Sequence, residues 1–311
     1  MRGRPLGAAA GILLDLALGE PPAPVPHPVA LFGSLMLGVE HALWRDHKAA
    51  GVVHATIGVA VGAITGAAAR STAATTYVAV AGRLLHHSAG DVATALDAGD
   101  LDRARALLPA LAGRDATTLD EPEIARAVVE SVAENTVDAI VAPALWAAVL
   151  GGAGALGYRA VNTLDSMVGH RSDRYRRYGW ASARLDDAAN WLPARATAAL
   201  VATVRPRRAA TVWHAVRHDA PHHPSPNAGV AEAAFAAALG LRLGGVNRYG
   251  DRVEQRAPLG PGRPPHRGDI HRAVRLSRDV SVALAGALAA WGTVPMGLTS
   301  ADEGDVAAAR A

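Results

Sequence analysis

The sequence predicts an all-α fold, a multi-pass membrane helical bundle with cytoplasmic helical segments and loops, on three observations. Half of the 311 residues are hydrophobic while aromatics supply only 4%, so the apolar mass is Ala, Val, Leu and Gly. Such small residues let helix backbones approach closely inside lipid. Three stretches, residues 49–69, 139–158 and 280–301, carry no Asp, Glu, Lys or Arg over about the length a bilayer requires. Outside them the hydrophobic spacing is helical, and no set of segments shows the period-two alternation of a sheet. Mean hydropathy is only +0.13, so substantial polar segments lie outside the lipid.

The elements follow in order. Arg2 and Arg4 ahead of Leu6–Leu14 imitate a signal peptide, but Asp15 closes the run and the prolines from Pro21 to Pro28 bring no cleavage site. Residues 6–18 are therefore read as a retained hydrophobic helix leading into a Pro-rich loop, with cleavage as the alternative. The first long charge-free stretch, 49–69, is followed after Arg70 by a shorter apolar one, 71–82. A polar segment over 84–138 comes next. Asp91–Leu111 has helical spacing with Asp100 as a cap, and Asp120-Glu121-Pro122 opens a helix over 123–138. Residues 139–158 contain Pro143 and the cluster Gly151-Gly152-Ala153-Gly154, which breaks the stretch into two half-helices and returns both flanks to one face. A second polar segment fills 159–279, with loops at Gly244–Gly250 and Arg256–Gly268. The last apolar stretch is 280–301. Together these make one membrane-embedded domain over 1–311 with three to five full crossings.

Charge gives the orientation. Residues 159–279 hold twenty cations against ten acids, a balance of +10, whereas residues 84–136 hold four against ten, a balance of −6. The positive-inside tendency places the first of these in the cytoplasm. The broken helix at 139–158 places the acidic segment there too; an unbroken crossing would put it outside. With no cysteine, disulfides and thiolate metal sites are excluded. Lys48 is the only lysine, and the Arg and Ala richness reads as genome composition, so no nucleic-acid partner is expected. The oligomeric state is left open, and a homo-oligomer is compatible with it.

Several constellations carry chemistry. Glu130, Glu134 and Asp138 are spaced i, i+4, i+8, which aligns three carboxylates along one face of a continuous helix. Such a face suits Mg²⁺, which takes one or two carboxylates plus phosphate oxygens and waters; a solvated acidic face is the plain alternative. Asn162 and Asp165, three apart, follow the Gly-broken stretch, where an acid near membrane depth points to function and a helix cap is the alternative. Arg184, Asp186, Asp187 and Asn190 repeat the acid–amide theme, as a metal–phosphate site, a hook for a ligand amine, or an ion pair with Arg184 or Arg195. Between them the run His170–Tyr178, with Arg174, reads equally as a phosphate clamp and as a basic segment on anionic lipid. Ser225, Asn227 and the amides near Gly229 open a helix whose start could hold an anion, with Glu232 on its first turns; an ordinary capped helix explains them as well. His222 and His223 are read as surface residues. No Walker, Rossmann, nucleophile-elbow or H-E-x-x-H motif is present, so a nucleotide would be held in some other way.

In order along nearly the whole chain, these segments resemble the adenosylcobinamide-phosphate synthase family of cobalamin biosynthesis. The resemblance runs from Leu14-Asp15 and His27-Pro28-Val29 through Gly113-Arg114-Asp115, Leu119-Asp120-Glu121 and Glu130-Ser-Val-Ala-Glu134-Asn135-Thr136. It continues in Asn162-Thr-Leu-Asp165-Ser-Met-Val-Gly169, Arg174-Tyr175, Gly179–Asp187 and Pro193-Ala194-Arg195, and closes in Ser225–Gly229, Glu232-Ala233 and Leu243-Gly244-Gly245. It implies an integral membrane ligase of the plasma membrane, with its active site facing the cytoplasm. The ligase joins adenosylcobyric acid to (R)-1-aminopropan-2-ol or its O-phosphate, with ATP and Mg²⁺. On that footing Glu130, Glu134 and Asp138 are expected at Mg²⁺ and phosphate. Arg114, Arg174 and Arg184 are expected on phosphate charge, and Asp186 or Asp187 at the amine. Asn135, Asn162, Asp165, Asn190, Ser225, Asn227 and Glu232 are expected to line the site. A Mg²⁺-dependent prenyl-group transferase and a membrane transporter are the competing readings.

Overall fold

The computed structural model describes residues 3–19, 27–113, 115–170, 172–249 and 252–293. Among these, helices dominate. In chain order they are α1 Gly3–Leu18, α2 Pro28–Leu43, α3 Lys48–Ala68, α4 Thr72–Ala79, α5 Gly82–Asp97, α6 Leu101–Leu107, α7 Glu121–Thr136, α8 Ala142–Leu150, α9 Gly152–Leu164, α10 Trp180–Val204, α11 Ala209–His218, α12 Ala228–Leu239 and α13 Arg267–Thr293. Helices α1, α8, α9, α3 and α4 pack as one apolar group, and α5, α7, α12 and α13 as a second, joined to the first where α1 packs on α13 and α5.

Local signals fix several ends as read from the sequence. Asp100 caps α6 by accepting the Arg103 N–H at 2.9 Å. Asp120 and Glu123 form a reciprocal capping box at the start of α7, with Pro122 in its first turn. Two helices, Lys48–Ala68 and the continuous run Glu121–Leu150, are long and apolar enough to cross a membrane by length and composition. The expected segments 6–18 and 71–82 form helices of 16 and 8 residues, and 280–293 is the C-terminal half of α13. Residues 294–301 of the last expected segment lie outside the described residues.

The break at 139–158 is present. Gly151 has φ +68°, a conformation costly for residues with a side chain, and there α8 ends and α9 turns back along it. Because α9 reverses direction, the segments before and after the pair come together: α13 packs on α5 and α7, and α12 on α7. Segments 84–138 and 159–279 thus form one body. Helix α12 is buried at every residue from Ala228 to Leu239, which its near-continuous alanine permits.

One expectation fails. Residues read as loops at Gly244–Gly250 and Arg256–Gly268 include a two-stranded antiparallel hairpin, β1 Leu243–Tyr249 and β2 Arg252–Leu259, with a register shift between Leu243 and Gly245. The strands are short, glycine-rich and charged, so they show no alternation. What holds them is tertiary: Arg126 of α7 donates to the Gly244 and Val246 carbonyls and to Asn247 Oδ1, at 2.8, 2.8 and 2.9 Å, and Glu130 Oε1 accepts the Gly244 N–H at 2.8 Å.

Candidate active site

The site begins with a proline. Pro143 has no N–H to give the carbonyl four residues back, so the Ala139 oxygen is free and accepts the Ala81 N–H at 2.9 Å. Val137–Val141 answers by widening into a π-turn, in which the Ala142 N–H bonds the Val137 carbonyl. Asp138 sits in that turn. A second π-turn, Asp165–Gly169, ends α9 and carries Asp165. A Cβ at Gly169 would fall on Asp165 Oδ1, so the glycine makes room for that carboxylate. Single π-turns inside α-helices recur at functional sites because they re-aim one side chain without ending the helix.

Helix α10 supplies the opposite wall. Asp186 and Asn190 lie one turn apart, and a small cavity of about 30 Å³ is lined by Glu134, Val137, Asp138, Asp186, Asn190, Ser225, Asn227 and Ala228. By volume it accommodates one or two water-sized groups. Asp186 is braced on both oxygens: Asn162 Nδ2 donates to Oδ1 at 3.4 Å and Asn190 Nδ2 to Oδ2 at 3.0 Å. Tyr158 in turn donates its hydroxyl to Asn190 Oδ1 at 2.7 Å. Trp146 ties α8 to α10 through the Ala189 carbonyl at 3.0 Å. Asn227 spans from the Asp187 carbonyl, to which it donates at 2.8 Å, to Arg195, whose guanidinium donates to its Oδ1 at 3.0 Å.

The charges crowd. Asp186 is pushed up to about 6, first by desolvation and then by Asp187 and Glu134, against the lowering effect of its two Asn donors. Asp165 is pushed up to about 7, again by desolvation first, then by Asp186, Asp187 and Glu134. Raised carboxyls on two neighbouring elements mark a place where a cation would be welcome. Among the described residues, no three His, Cys, Asp or Glu converge into a ready-made metal cage.

The other expected residues are placed as follows. Glu130 is not with Glu134 and Asp138; it is buried against Gly244 and lies 3.5 Å from Arg126. The cavity takes Glu134 and Asp138 but not Glu130, because the hairpin and Arg126 engage Glu130. Asn135 donates back to Ser131, to its carbonyl and its Oγ, at 3.0 and 3.2 Å. Arg174 does not line the cavity: it is paired with Glu40 of α2 at 2.9 Å and stacked on Trp44, and Tyr175 donates to the same Glu40 oxygen. Arg184 is exposed and 3.7 Å from Asp187. Ser225 lines the cavity, but its Oγ accepts the Asn227 and Ala228 N–H groups, capping α12. Glu232 faces away, 3.6 Å from His223 and 3.9 Å from Arg256 of the hairpin. His223, expected on the surface, is buried. Arg114 lies outside the described residues.

Two residues at the site went unread. Tyr158 is buried against Asn190, and Arg159 is the cation whose field opposes the acids around Asp138. Arg159 ends a charge-free stretch of twenty residues, and an isolated cation at that place is a functional signal.

Fold and site define a helical protein with an acidic, asparagine-braced cavity where its charge-free helices meet its polar ones. Comparison with known proteins narrows this. The family model described as CobD/Cbib protein matches residues 8–277. "Cobalamin biosynthesis protein CobD" of Mycobacterium tuberculosis strain CDC 1551 is 48% identical over 300 residues, covering 91% of this chain and 94% of its own. The protein of that name from Pelobacter propionicus is 40% identical over 90% of this chain and 93% of its own. One from Rhodobacter capsulatus is 41% identical over 85% of this chain and 90% of its own. No solved structure matches the chain. The chain belongs to the CobD/Cbib family of cobalamin biosynthesis proteins.

Proposed function

We propose that the protein is an ATP-dependent ligase that forms the amide between adenosylcobyric acid and (R)-1-aminopropan-2-ol or its O-phosphate, giving adenosylcobinamide or its phosphate. The observation that carries this reading is the meeting of Glu134, Asp138 and Asp186 at one cavity braced by Asn162 and Asn190. A carboxylate does not condense with an amine unaided. In the proposed reaction a corrinoid carboxylate oxygen attacks the γ-phosphorus of ATP, ADP leaves, and an acyl phosphate forms. The amine nitrogen then attacks the acyl carbon, the C–O bond breaks, and inorganic phosphate departs as the nitrogen loses a proton.

Glu134 and Asp138 would hold Mg²⁺, which when bound neutralises phosphate charge. Asp186, pushed up to about 6, is suited to take the amine's proton near neutral pH. Asn162 and Asn190 fix its orientation. Asn227 and the Ser225 turn form the wall facing it, and Asp165 adds negative potential that draws an ammonium group in. Purified protein supplied with adenosylcobyric acid, the amine, ATP and Mg²⁺ should yield ADP and the amide in equal amounts by mass spectrometry. Nucleotide turnover that ignores corrinoid and amine, or amine flux into vesicles without nucleotide, would overturn the ligase reading.

The reading extends to location: a multi-pass protein of the cell membrane with this cavity on the cytoplasmic side. Its support is the two apolar helices, the reversal at Gly151, and the packing of both polar segments into one body. Because the chain has no cysteine, one placed at the exposed Ala98 or Ala110 reports the side directly. No labelling by an impermeant reagent in intact cells, and labelling after permeabilisation, is expected; labelling in intact cells would put residues 84–138 outside.

A further inference from the structure

On the far side of α7 from the carboxylate cavity, α1, α5 and α13 enclose an open groove of about 870 Å³. Its lining includes Leu18, Arg83, Leu84, His86, Arg278 and Val282. Thr136, opposite Glu134 on the helix, looks toward it through Ser277. Three changes of composition meet at this level: the apolar run of α1 ends at Leu18, the uncharged residues 71–82 end at Arg83, and the uncharged residues 280–301 begin just after Arg278 and Asp279. Leu18, Leu84 and Val282 are 65%, 46% and 55% exposed there. Apolar side chains open to the surroundings beside arginines are what a bilayer–water boundary requires.

The polar groups are arranged for an anion carrying a hydroxyl. Arg278 is exposed, and no carboxylate pairs with it among the described residues. Arg83 donates its guanidinium to the Leu16 and Ala17 carbonyls, at 3.2 and 2.6 Å, which leaves it unpaired with any carboxylate among the described residues. Asp91 is the acid in the lining, and it lies 3.7 Å from His87. His86 is 3% exposed, and its Nε2 is 2.9 Å from Ser277 Oγ, which is 2.8 Å from Thr136 Oγ1, itself 2.6 Å from the Val132 carbonyl oxygen. The single Thr136 hydroxyl hydrogen goes to Ser277 Oγ or to the Val132 carbonyl, and the His86 tautomer follows that choice. In either tautomer His86 Nδ1 is buried and without a partner, and a hydroxyl can donate to it or accept from it. Burial, with Arg278 adding to it, pushes this histidine down to about 4, so the ring is neutral.

We propose that this groove binds the headgroup of an anionic, hydroxyl-bearing phospholipid of the phosphatidylglycerol kind. Its phosphate lies against Arg278 and Arg83, its hydroxyl serves His86, and its chains lie along Leu18, Leu84 and Val282. The inference rests on the membrane reading above.

The test uses the full chain in detergent and native mass spectrometry with phosphatidylglycerol, phosphatidylcholine or inorganic phosphate as probes. Phosphatidylglycerol should be retained in preference to phosphatidylcholine. Arg278→Gln should weaken its retention about fivefold or more, the share of one cation at a lipid surface, while Arg278→Lys retains most of it. Equal retention in Arg278→Gln, or equal retention of the two lipids, overturns the proposal. Inorganic phosphate competing at the same concentration overturns the choice of a lipid. Alkaline carbonate extraction of the cell membranes tests the membrane reading separately: wild type and Arg278→Gln should both stay in the pellet, and release of both into the supernatant would sink that reading and this one together.

Discussion

Replacing Asp165 and Asp186 together by asparagine should stabilise the cation-free protein, and increasingly so as pH rises from 5 to 8. In the folded protein these carboxyls ionise near 7 and 6, against 3.8 for an ordinary Asp. The sign follows from proton counts. Between about pH 4 and 7 the folded state holds protons that the unfolded chain has lost, so raising the pH costs stability, and the loss is complete above the folded value. At about 1.4 kcal/mol per pH unit, and discounting by half because both side chains are only half-buried and repel each other, the pair costs about 4 kcal/mol at pH 8. That corresponds to roughly 5–10 °C in melting temperature for a chain of this size.

Other groups titrate in the same experiment, so the informative quantity is the difference between variant and wild type. His86 and His223 are both held below their ordinary values by burial, and they lose stability as pH falls below about 6.5, the opposite slope. Asp269, lowered to about 2 by Arg263, the His266 N–H and Arg272 despite its burial, matters only at more acidic pH. These contributions cancel in the comparison. Thermal unfolding of chelator-treated protein from pH 5 to 8 should show the two melting curves diverging with pH, and millimolar Mg²⁺ should narrow the gap by stabilising the wild type more than the variant, since only the wild type carries the two extra negative charges that the cation offsets. A constant difference across the range would refute the argument that these carboxyls are crowded into a shared field.

Glu134→Gln and Asp138→Asn should each lower turnover by about a hundredfold or more while leaving circular dichroism unchanged, as loss of charge at a pre-organised site does; activity within a few-fold of wild type would remove them from the site. Pro143→Ala restores an N–H that competes with Ala81 for the Ala139 carbonyl, so it should lower turnover about tenfold with little loss of melting temperature; unchanged turnover would show that the π-turn does not position Asp138. Arg126→Ala removes the cation 3.5 Å from the buried Glu130 and three hydrogen bonds to the hairpin, and should destabilise the protein by about 3 kcal/mol. Amide exchange should then rise first in the hairpin, and uniform exchange would show that the hairpin is not held there.

Much of this was legible along the chain because it is local. Charge-free runs and glycine clusters marked α3 and the break at Gly151, and Asp100 and Asp120 marked helix starts, since a cap needs only its own next three residues. The acids and amides that line the cavity were also singled out, as residues too costly to leave idle near apolar helices. Their grouping was not legible. Whether Glu130 joins Glu134 and Asp138 depends on the hairpin that engages it, and whether Pro143 kinks, ends or widens their helix depends on what receives the Ala139 carbonyl. The receiver, Ala81, is more than fifty residues away. Arg174 and Glu232 look like site residues in one dimension and are taken by Glu40 and by His223 and Arg256 in three, because a buried charge binds the nearest opposite partner, wherever the chain supplies it. The hairpin was missed for the same reason, its strands being fixed by Arg126 and Glu130 rather than by an alternating pattern. The sequence by itself determined the family, the helical class and the roster of polar groups; only the tertiary structure decided which of them share a cavity, since that depends on helix phase and on partners distant in sequence.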